Sequence, residues 1–125
     1  MILNCLFAGI GGFFGTVLRY LASFIPIQQS KSSIPYITLF INIIGSFLIG
    51  FIASPIQKIA PQSKMLLFLK VGFCGGFTTF STFAFEFTSL AEKGSFLVAG
   101  IYVVLSITGS FIAVLCGTKL ASLIF

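Results

Sequence analysis

Apolar residues in this chain fall into four long runs, about residues 2–25, 34–56, 65–92 and 95–120, with short polar stretches between them. Each run is near the ~20 residues that cross a ~30 Å hydrocarbon layer at ~1.5 Å of rise per residue. The pattern predicts four transmembrane helices. Pro26 closes the first run ahead of a polar loop, Gln28 to Ser33, and Pro35 opens the second, where a missing N–H costs nothing. Lys58, Pro61 and Lys64 mark the next loop, and Lys93 with Gly94 a tight turn before the fourth run. Connections this short make successive helices antiparallel neighbours and leave no room for a soluble domain. Residues 1–125 therefore read as a single four-helix transmembrane domain of the all-α class. The first run lacks the basic stretch that begins a signal peptide, so it is expected to remain as a helix of the mature protein.

Composition narrows the function. With 58% of its 125 residues hydrophobic and 7% charged, the chain cannot clothe a water-soluble domain. The net charge of +5 comes from bases scattered singly, which makes nucleic acid a poor partner. Cys5, Cys74 and Cys116 lie in apolar stretches without CxxC spacing and read as reduced packing residues. The chain has no histidine or aspartate, and no nucleophile–base pair is recognisable, so an enzyme is not expected. Bases set membrane orientation when they crowd one side. Here Lys58, Lys64, Lys70 and Lys119 fall on one side and Arg19, Lys31 and Lys93 on the other, four against three of the seven. So weak a bias leaves two readings open. Either the chain inserts both ways, with opposite subunits related by a twofold axis in the membrane plane, or Lys70 or the N-terminus fixes one orientation.

Function should sit where polar or small residues lie at membrane depth, because each unsatisfied polar group there costs several kcal/mol. In the first run Gly11 and Gly15 have the spacing that lets another backbone approach, and Arg19 follows one turn later. Arg19 reads either as an anchor snorkelling to the interface or as a cation at a pore mouth. In the second run Thr38, Asn42, Gly45, Ser46 and Gly50 share a face, with Asn42 central. This is either a hydrated path or interhelical glue. The third run contains Gly72-Phe73-Cys74-Gly75-Gly76-Phe77-Thr78-Thr79-Phe80-Ser81-Thr82-Phe83, where glycines and β-branched threonines lower helix propensity. The sequence predicts a break near mid-membrane whose freed carbonyls can coordinate a cation; the alternative is a kinked, tightly packed helix. In the fourth run Tyr102, Ser106 and Ser110 repeat at i, i+4 and i+8 as a hydroxyl stripe.

The segments GGFFGTVLRY, TLFINIIGSFLIG and GFCGGFTTFSTF, in this order, closely resemble the small fluoride channels of the Fluc or CrcB family. The resemblance covers nearly the whole chain. It implies a dual-topology antiparallel homodimer with two separate fluoride pores and a central structural sodium ion. Such a dimer would passively release toxic fluoride across the cytoplasmic (inner) membrane. Residue by residue, it implies that Phe80 and Phe83 present ring edges to fluoride and that the Asn42 amide donates to it. Tyr102, Ser106 and Ser110 match the polar track, Arg19 the vestibule arginine, and the Gly75 and Thr78 carbonyls the sodium ligands. Glu86 would lie near a pore end, its role left open.

Two other classes compete. A proton-coupled exporter of the small multidrug type needs a carboxylate inside the membrane. Glu86 and Glu92, both late in the third run, are the only acids. A structural subunit of a larger membrane complex predicts no transport by the isolated chain.

Overall fold

The computed structural model describes residues 1–27 and 33–125; the loop 28–32, with Lys31, lies outside the described residues. It contains helices α1 (Ile2–Ala22) and α2 (Tyr36–Ile59), then α3 (64–77) and α4 (Phe80–Glu92) in succession, and finally α5 (Phe96–Ile124). Among the described residues four spans are long and apolar enough to cross a membrane, since α3 and α4 together make one, Lys64–Glu92. The chain is a multi-pass membrane protein.

Proline chemistry sets two local features. The residue before a proline is pushed out of the helical region. Accordingly α1 stops at Ala22, and three short i→i−3 bonds carry the chain through Ser23, Phe24 and Ile25 to Pro26. Pro55 lies inside α2, where a proline lacks the N–H of a regular turn and its ring presses on the carbonyl four residues earlier. The backbone widens just before it into a π-helical turn, Ile49–Ala53. A second wide turn, Leu67–Cys74, occupies the middle of α3.

Spans pair with partners that are not their sequence neighbours. α1 packs along α3, and α2 along α5. Gly11 of α1 faces the backbone of Phe68, and Gly15 that of Phe73 and Phe77, so the two helices run in the same direction. A methyl group at Gly11 or Gly15 would overlap the facing carbonyl oxygens. This is the close approach that small residues four apart permit. α4 turns back onto α5 through a Schellman motif: Gly94 has φ 75°, its N–H reaches the Ala91 carbonyl at 2.9 Å, and Ser95 N–H reaches that of Leu90 at 3.0 Å. The buried core of Leu39, Leu90, Ala99 and Tyr102, with Phe83 and Ile43 packed on it, lies where α2, α4 and α5 meet.

Candidate functional site

The site is built around two residues that leave the helix. Thr78 (φ −81°, ψ 161°) and Thr79 (φ −153°, ψ 120°) are extended between α3 and α4. In an unbroken helix the Thr79 N–H would close on the Gly75 carbonyl. Here it donates instead to Asn42 Oδ1 at 2.9 Å, and Asn42 Nδ2 donates back to the Thr79 carbonyl at 3.1 Å. The backbone groups fix which end of the amide is nitrogen. Likewise the Thr82 N–H, which would close on Thr78, donates to the capping Thr79 Oγ1 at 3.2 Å. Both carbonyls singled out in the sequence, Gly75 and Thr78, therefore lose their helix partners. Thr78 accepts one bond from Arg19 Nη1 at 3.3 Å.

A groove of about 460 Å³ lies on one side of this interruption. Its walls bring together Asn42, Phe80, Phe83, Ser106, Ser110, Gly75 and Thr78. Phe80 is 80% exposed, and its ring centroid is 5.6 Å from that of Phe83, which packs at 5.1 Å on Tyr102. Asn42 and Ser106 both have donors to spare here. Asn42 has given one of its two amide hydrogens to Thr79. The Ser106 hydroxyl is buried and makes no hydrogen bond within the described residues. An unsatisfied buried hydroxyl costs about 1–3 kcal/mol.

Tyr102 and Arg19 stand outside this groove. Tyr102 is fully buried and donates to Glu86 Oε2 at 2.7 Å, while Thr38 donates to Glu86 Oε1 at 2.8 Å. Thr38, Glu86 and Arg19 line a second cavity of about 440 Å³ with Thr16 and Thr82. Thr79 lines both spaces. Sequence reasoning left Glu86 without a role and did not single out Thr79. A usable signal existed: Thr79, Thr82 and Glu86 fall at i, i+3 and i+7, one face of α4 that carries its own polar stripe.

Membrane-crossing helices that hold unpaired donors in a groove between spans define a small multi-pass membrane protein. The chain belongs to the family described as CrcB-like protein, Camphor Resistance (CrcB), whose model matches residues 6–118. It is 42% identical to the fluoride-specific ion channel FluC of Chlorobaculum tepidum, over 96% of this chain and 95% of that protein. It is 44% identical to the protein of that name from Chlorobium chlorochromatii, over 91% and 88%. With the Clostridium perfringens protein so named it shares 39% over 99% and 98%.

Proposed function

We propose that this chain is a passive, fluoride-selective channel of the cytoplasmic (inner) membrane, a single four-helix unit that works as a homodimer of oppositely inserted copies with two pores. The observation that carries the reading is that Ser106 Oγ and the second Asn42 N–H have no partner among the described residues, in a groove whose wall also holds the Phe80 and Phe83 rings. Fluoride is small and strongly hydrated, so it leaves water only where fixed donors replace its shell. The positive edges of Phe80 and Phe83 add to those donors. Ser110 continues the hydroxyl line along α5, and Tyr102 begins it beneath Phe83. Arg19 concentrates anions in the second cavity. The names of the curated relatives support fluoride as the ion.

A structural sodium ion fits the donor set. Gly75 and Thr78 offer carbonyl oxygens released from the helix, hard ligands for a hard cation. Thr78 keeps a lone pair beyond the one that accepts from Arg19. Gly75 is exposed in the single chain, as is Phe80, so a second copy can reach this face and complete four oxygens. A bound sodium supplies positive charge between the two grooves and ties the helix ends together.

Fluoride efflux from liposomes that contain only the purified protein tests the function. Flux that persists when the proton gradient is collapsed supports a channel. Flux that stops supports the second reading, a proton-coupled exporter, which the placement of Glu86 in a cavity favours. No flux at all supports a structural subunit.

A further inference from the structure

α2 and α3 widen at the same level. The π-helical turns Ile49–Ala53 and Leu67–Cys74 pack against each other. Wide turns of this kind are frequent at functional sites. Lys70 sits on the second of them, half-buried, in the wall of the main groove beside Ile49 and Val114. The same lysine lines an adjoining cavity of about 330 Å³ with Gln57 and Lys58. Its ammonium stands where the two spaces meet. One N–H goes to Gln57 Oε1 at 2.8 Å, and an ammonium carries three donors. No carboxylate lines either space. Arg19 serves the cavity on the other side of Thr79, and of the two bases at this end, Lys70 and Lys58, only Lys70 reaches the wall of the main groove.

We propose that Lys70 is the anion-gathering group at the α2–α3 mouth of the groove, where it sets the rate at which small hydrated anions enter, separately from Arg19. The proposal rests on the channel reading. A fixed cation in a low-dielectric wall raises local anion concentration, and salt removes the effect as the screening length falls from ~30 Å at 0.01 M to ~3 Å at 1 M.

The test is fluoride flux through the wild type, K70R, K70Q and K70E at low and high concentrations of an impermeant salt. At low salt K70Q is expected to lose about 3-fold and K70E about 10-fold, with K70R close to wild type. At high salt the differences should shrink to less than about 1.5-fold. Equal flux in K70Q and wild type at low salt overturns the proposal. So does a loss in K70Q or K70E that salt does not alter, because a packing defect is blind to ionic strength. Should K70Q fail to fold, the K70R and K70E pair at the two salts carries the same comparison. Absence of flux from the wild type would instead remove the channel reading beneath it, so the two failures are distinct.

Discussion

The two spaces on either side of Thr79 both carry hydroxyls in their walls and differ in what faces those hydroxyls. In the Arg19 cavity Glu86 is part of the wall and accepts from the Thr38 hydroxyl and from buried Tyr102, so a carboxylate stands where an anion would have to bind. In the main groove Ser106 has no partner and Asn42 retains one hydrogen. A hydroxyl next to an acceptor holds structure together, whereas a hydroxyl without one is free to hold an ion. Polarity alone does not mark a site; a buried donor with no carboxylate in the same wall does.

The sharpest break of this comparison is Asn42→Asp. It removes the donor to the Thr79 carbonyl and puts a negative charge on the anion side, so fluoride flux should fall at least ~100-fold in liposomes. Flux equal to wild type would show that Asn42 serves only to hold Thr79. Phe80→Ile and Phe83→Ile come next, each expected to lower flux roughly 10-fold by removing a ring edge. They should differ in stability: exposed Phe80 is dispensable, while Phe83 packs on the core and its loss should cost ~1–2 kcal/mol. Thermal unfolding separates the two.

Smaller effects sharpen the contrast between committed and uncommitted hydroxyls. Tyr102→Phe strands Glu86 Oε2 and should destabilise the protein by about 1–3 kcal/mol. Ser106→Ala strands nothing. It should leave stability unchanged or raise it by about 1 kcal/mol while lowering flux. Stability losses of equal size in the two variants would erase the distinction drawn between the cavities. Last, fluoride currents should reverse at the fluoride potential whatever the sodium gradient, and prolonged sodium removal should lower them slowly. A reversal potential that follows sodium would exclude a structural ion.

Much of the fold was legible because membrane spans need only length and apolarity, which single residues cannot hide. Helix ends were less so: α1 stops at Ala22 because Pro26 acts backwards through Ile25, and α5 continues to Ile124 past Lys119, a residue that looks like a boundary. Within the site, Asn42 stood out as a lone amide in an apolar run. Its partner did not, because Thr79 meets it across 37 positions of sequence. Glu86 was visible as an acid but not as the meeting point of Thr38 and Tyr102, since three helices must assemble before those oxygens touch.

The pairing of α1 with α3 and of α2 with α5 has a consequence for biosynthesis. A nascent chain delivers its spans to the bilayer in order, and a hairpin of the first two would bury neither one's main contact surface. The glycine face of α1 has to wait, lined only by lipid, until α3 is synthesised, and α2 waits longer still, until the ribosome has nearly finished. Assembly is therefore committed late, and a chain cut short after its second span would leave both faces open to whatever else the membrane holds.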